Sequence, residues 1–137
     1  MNPEYIKAVQ QSWALLEPVG DQAVELFYTN LFARNPGMRR LFTEDLSVQG
    51  TQLIRMFDTA VANLDRPDEL IPILQVLGQR HRDYGVMSAH LDAYGEALLS
   101  TLAQGLGTAF TPEVGEAWRM IFGDIRGVML GLQNDVH

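Results

Sequence analysis

Apolar residues return at steps of three and four along most of this chain, the spacing that gives a helix one face turned away from water. Ile6, Val9, Trp13 and Leu16 form the first such stripe. Asn2 stands where a helix cap is wanted, with Pro3 in the first turn, where its missing N–H costs nothing. Pro18 and Gly20 break the stripe, and a second helix starts at Asp21, carrying Val24, Phe27, Tyr28, Leu31 and Phe32. Asn35-Pro36-Gly37 stops that helix, because neither Pro nor Gly sustains it. A short helical turn then spans Met38 to Phe42.

The third long helix is capped by Ser47 and turns Leu53, Met56, Phe57, Ala60, Val61 and Leu64 inward. Asp65-Arg66-Pro67-Asp68 reads as a connection. The helix after it has Pro72 near its start, reaches about Arg82 and stops at Gly85, a residue suited to a left-handed cap. Ser88 caps the next helix, which bears Leu91, Leu98, Leu99 and Leu102 and ends at Gly105 and Gly107. Thr111-Pro112-Glu113 combines a cap, a first-turn proline and an acid at the positive helix end. Val114, Trp118, Ile121, Phe122, Ile125, Val128, Met129 and Leu132 make the last stripe. Strand-type alternation and two-residue hairpin signals are missing, so the pattern predicts an all-α domain of six or seven helices over residues 1–137.

Composition narrows the chemistry. The 137 residues are 47% hydrophobic and 20% charged, ordinary for one globular domain with a real core. A net charge of −7 repels phosphate backbones and anionic lipid surfaces, so nucleic acid and membrane are excluded as partners. The chain has no cysteine, which removes disulfides, thiolate metal sites and a thiol nucleophile. With no signal-type opening and no apolar run long enough to span a bilayer, the expected location is cytoplasmic.

Chemistry then rests on few residues. Of three histidines, His137 is terminal and His90 sits beside a helix start. His81 follows Leu70, Leu74 and Leu77 and precedes Tyr84 at steps of four, three, four and three, so it lies on an apolar face where an imidazole needs a hydrogen-bond partner or a metal. A satisfied core histidine meets that need as well as a ligand does. Zinc is disfavoured, since it wants three or four protein ligands; haem iron needs one axial histidine, the porphyrin supplying four nitrogens. Gln49 and Leu53 share a helix face, and Tyr28 is the one phenol among Phe27, Leu31 and Phe32. Singly, Gln49 reads also as a solvated glutamine, Tyr28 as a core tyrosine and Phe42 as core filling.

Together the spacings say more. Phe42 comes six residues after Pro36, Gln49 seven after Phe42, Leu53 four later and His81 thirty-two after Gln49. With the stretches Leu26-Phe27-Tyr28-Thr29-Asn30-Leu31-Phe32, Ile73-Leu74-Gln75-Val76-Leu77-Gly78-Gln79-Arg80-His81 and Gly95-Glu96-Ala97-Leu98-Leu99, and with Glu116-Ala117-Trp118, the chain resembles the globin family over about residues 4 to 132. It is most similar to single-domain bacterial haemoglobins and the globin half of flavohaemoglobins.

The resemblance implies a globin fold of six to eight helices around one haem pocket holding haem b (iron protoporphyrin IX). It makes His81 the iron ligand, Phe42 a ring stacked on the haem, Val86 a proximal haem contact and Leu53 the roof over the iron. Tyr28 and Gln49 become the distal donors to a bound gas, and Trp118 a packing residue. The chain departs from the flavohaemoglobin pattern at Leu91, where those proteins carry a tyrosine, at Gln133, where they carry a glutamate bonded to the proximal histidine, and at Phe122, where tyrosine is common. Losing that carboxylate weakens the electron push toward iron.

The implied function is reversible binding of oxygen, carbon monoxide and nitric oxide at ferrous iron, for oxygen storage or scavenging, by a monomer or weak homodimer. The alternative is nitric oxide dioxygenation, which needs electrons from a separate reductase because the chain ends at His137. Gas sensing, which wants an output domain, and a cofactor-free helical interaction module are the remaining readings.

Overall fold

The structure, a computed structural model, describes residues 2–41, 46–83 and 88–131, apart from the side chains of Leu41, Ser47 and Arg82. Six α-helices account for most of them: α1 (Pro3–Leu16), α2 (Gly20–Arg34), α3 (Leu46–Ala62), α4 (Pro67–Asp83), α5 (Ser88–Leu106) and α6 (Pro112–Met129). Short 3₁₀ turns at Glu17–Val19, Pro36–Leu41 and Gly107–Ala109 join or extend them. No strand occurs among the described residues.

The start signals work as expected. Asn2 accepts a 2.8 Å hydrogen bond from the Glu4 N–H, and the Thr111 hydroxyl accepts one of 3.2 Å from Val114 N–H. Each satisfies an amide that helix geometry leaves orphaned. Pro18 sits in the 3₁₀ turn between α1 and α2, and the Asn35-Pro36-Gly37 break is where α2 stops.

Several boundaries differ. α2 begins at Gly20 rather than Asp21; α3 begins at Leu46 and, in addition, α5 at Ser88, which puts Ser47 and Ser88 inside their helices rather than at the caps. The larger shift is α4: it starts at Pro67, so Asp68 is helical and Pro72 lies in the helix interior. An interior proline costs about 3 kcal/mol. The helix forms regardless because Leu70 and Leu74, on either side of Pro72, are 0% and 1% exposed. Leu70 reaches the core only if the helix begins upstream of the proline, and its burial yields roughly 1.5–3 kcal/mol, of the same size as that cost; Leu74 continues the buried face beyond it. The Gly85 stop lies outside the described residues.

The packing leaves a gap in a defined place. α1 lies along α6 and α2 along α5, while α4 leans on α6, and α3 finds its main support on α1 and α2. Hydrogen bonds lock these crossings. Trp118 Nε1 donates to Ser12 Oγ at 2.8 Å, Trp13 Nε1 to Asp58 Oδ1 at 2.7 Å and Gln10 Nε2 to the Val61 carbonyl at 3.0 Å. Gly78 carries the α4–α6 crossing: a Cβ there would overlap the Met129 carbonyl, so a larger residue would push α4 outward. α3 and α4 are thus each held from behind, by different helices, with space between them.

Candidate functional site

That space is a cavity of about 390 Å³, walled mainly by apolar side chains from every α-helix, a size and character usual for ligand and cofactor sites. Four of the residues singled out from sequence line it: Tyr28 from α2, Gln49 and Leu53 from α3, and His81 from α4. Phe42 and Val86 lie outside the described residues, as do Tyr84, Gln133 and His137. Of the two described histidines, His81 faces the cavity and His90 does not.

His81 is half-buried one turn past the Gly78 crossing. Its Nδ1 lies 2.7 Å from the Leu77 carbonyl, one turn back. A carbonyl only accepts, so Nδ1 carries the proton, and in the neutral imidazole Nε2 is the nitrogen with the free lone pair. The helix itself thereby fixes the tautomer and the ring orientation.

Tyr28 is 6% exposed. Its ring stacks on Phe32 with centroids 5.8 Å apart and meets Phe27 edge-on at 5.7 Å. Burial pushes its phenol above the ordinary value of 10.0, so it stays protonated, a donor, at neutral pH. Gln49 is brought beside it by Gly50, where a Cβ would come within 2.6 Å of Val24 and 3.8 Å of the Tyr28 ring. Only glycine lets α3 approach α2 this closely. Gln49 Oε1 is buried and has no hydrogen-bond partner among the described residues. An amide exchanges its two ends by a flip, so the site holds a buried amide tip that a hydrogen-bonding ligand would satisfy.

Leu91, 6% exposed, borders the cavity from α5, with Phe122 from α6 close by. Trp118 also reaches the cavity wall, in addition to the packing role expected of it. Among the lining residues, Tyr94, Gln52 and Arg126 escaped the sequence reading, and Arg80 entered it only within a longer stretch. Tyr94 had a legible signal, since it falls three after Leu91 and four before Leu98 on the same stripe. Arg126, whose Nε lies 2.8 Å from Asp92 Oδ1, had only its four-residue step from Phe122. No group of acidic or histidine residues able to hold a bare metal ion occurs among the described residues, and none of the described helices is long and apolar enough to cross a membrane.

Comparison with known proteins bears on the family and the fold. The chain is 27% identical over 135 residues to a flavohemoprotein of Bacillus subtilis, covering 96% of this chain and 34% of that protein. It is 26% identical over 140 residues to a flavohemoprotein of Bordetella parapertussis, covering 100% and 35%. The chain therefore spans about a third of the length of these curated relatives. The crystal structure of a hexacoordinated heme protein from an anhydrobiotic tardigrade shares the fold, with a TM-score of 0.84 at 18% identity over 97% of this chain and 96% of that one. The Globin family model matches residues 25–129, from within α2 to the end of α6, and on that match the chain belongs to the globin family.

Proposed function

We propose that this globin holds one haem b through His81 and binds oxygen and other diatomic gases reversibly, retaining oxygen rather than releasing it freely. The observation that carries the reading is the pairing within one apolar cavity of a tautomer-fixed histidine with a buried phenol and an unsatisfied amide. The residues fit the group: His81 Nε2 would supply the one protein nitrogen that haem iron needs, and the apolar walls would exclude water around it. Attachment is non-covalent, since the chain has no cysteine for thioether links. The resemblance assigns Phe42, Val86 and Leu53 as further contacts of the group, the first as a stacked ring, the second on the proximal side and the third as a roof.

Ferrous haem supplies the reversible bond to oxygen, carbon monoxide or nitric oxide. The protein supplies the rest. Leu77 holds the His81 ring in place through Nδ1. Tyr28 and the amide of Gln49 donate to a polar ligand in a site that excludes bulk water, where fixed donors need no reorganisation. Two such donors, each worth roughly 1–1.5 kcal/mol, slow escape of a polar ligand about 30- to 150-fold relative to an apolar pocket. That suits storage or scavenging better than delivery.

A second reading follows from the flavohemoprotein relatives, which are about three times as long as this chain. With a separate reductase returning electrons, the same pocket would support nitric oxide dioxygenation. Nitric oxide consumption in air separates the two. The oxygen-holding reading expects about one equivalent per protein and then a halt; sustained turnover with an added ferredoxin- or flavin-type reductase would favour the enzyme.

A further inference from the structure

Outside the cavity, α3 and α4 border a second hollow, an open groove of about 540 Å³. Met56, Ala60, Leu74 and Leu77 line both the groove and the cavity, so one layer of side chains separates the two. The outer lip of the groove is apolar: Ile73 is 41% and Val76 56% exposed, although Leu70 and Leu74 of the same helix are buried. Apolar side chains exposed together, rather than singly, mark a contact surface.

Charge gives the groove its sign. Arg55 from α3 and Arg80 from α4 line it, and no carboxylate does among the described residues. Elsewhere Arg34, Arg66 and Arg126 lie beside Glu96, Glu69 and Asp92. Arg55 and Arg80 are exposed and have no ion pair among the described residues. In a chain of net charge −7, two cations thus flank an apolar floor. The complementary surface carries carboxylates around an apolar contact, the usual arrangement of a charged rim about a drier centre.

We infer that this groove is the docking face for a small, acidic protein that donates one electron. The inference rests on the haem reading above. Oxygen binds the ferrous form, so a haem left ferric has to regain one electron before the site works again; the donor is oxidised by that electron and no atom is transferred. A donor seated between Arg55 and Arg80 lies one side-chain layer from the cavity, and Arg80 adjoins His81 in the chain. Electron-transfer partners use small, short-lived interfaces and are steered by charge. A groove with two cations over an apolar floor meets both needs.

The test mixes ferric, haem-loaded protein with reduced plant-type ferredoxin, an acidic protein, under carbon monoxide, which traps each ferrous haem as it forms. The second-order rate constant is expected to fall as salt is added, and to drop about tenfold or more at low salt in Arg55→Glu/Arg80→Glu. Val76→Ser should lower the rate and keep its salt dependence. Lys7→Glu/Arg119→Glu makes the same change of net charge at exposed positions that line neither hollow, and should stay within about twofold of the unsubstituted protein. Photogenerated lumiflavin semiquinone, small and uncharged near neutral pH, should reduce every variant equally fast. A ferredoxin rate indifferent to salt, an equal loss in Lys7→Glu/Arg119→Glu, or an equal loss with lumiflavin would overturn the inference and leave the haem reading intact. A dimer of the unsubstituted protein that Arg55→Glu/Arg80→Glu dissolves would also overturn it, by giving the groove to a second copy. Failure of the unsubstituted protein to take up haem would overturn both.

Discussion

His81→Ala is expected to lose most bound haem on gel filtration, with whatever remains recovering a ligand-field spectrum only when imidazole is added. Two arguments give the size of this effect. Among the described residues, His81 offers the one histidine nitrogen that faces the cavity, and its Nδ1 bond to Leu77 favours one rotamer and tautomer. An apolar cavity alone retains a haem by burial and releases it readily; the axial bond adds the specific anchor. The half-buried His81 is not a core residue of the kind that Leu70 and Leu74 are, so the variant should keep its helical circular dichroism. His90→Ala and His137→Ala should leave the spectrum as it was. A full five-coordinate ferrous spectrum retained by His81→Ala would remove His81 from the site.

The second large effect belongs to the distal donors. Tyr28→Phe is expected to raise the oxygen dissociation rate about tenfold, equal to roughly 1.4 kcal/mol. The Tyr28 ring is fixed by Phe27 and Phe32, so its hydroxyl points without a search, and its raised pKa keeps it a donor. Gln49→Leu should raise the rate less, because a glutamine must order three torsions to present its amide. The double change should fall short of the summed effects, since neighbouring donors to one ligand are not additive. Carbon monoxide, less polar when bound, should respond weakly to either change. Equal responses of the two gases would mean that the substitutions act by opening space, and the electrostatic account of the pocket would fail.

Much of this architecture could be read along the chain because its signals are local. Caps at Asn2 and Thr111 act through hydrogen bonds two and three residues away, and the inward faces follow from spacing alone. The start of α4 is harder to read, because proline propensity argues one way and the burial of Leu70 the other; the two are of similar size, up to about 3 kcal/mol each, and only the tertiary fold decides between them. Within the site, His81, Tyr28, Gln49 and Leu53 stood out by spacing and by resemblance. What no spacing shows is that Gly50 and Gly78 bring α3 onto α2 and α4 onto α6, since a close approach depends on the partner helix. Tyr94 is missed for a simpler reason: within a stripe of leucines a tyrosine reads as packing, and its place on the cavity wall, stacked on Phe27, shows only in the fold.

The central claim is that one histidine-held haem in this cavity binds a gas reversibly, and the visible spectrum of the reconstituted, reduced protein tests it most directly. Haem titrated into the apoprotein should saturate at one equivalent with a sharp Soret band. The reduced form should shift under carbon monoxide, and should change on admitting oxygen and return when oxygen is removed. A titration without an end point, or a Soret band that carbon monoxide does not move, would contradict the account.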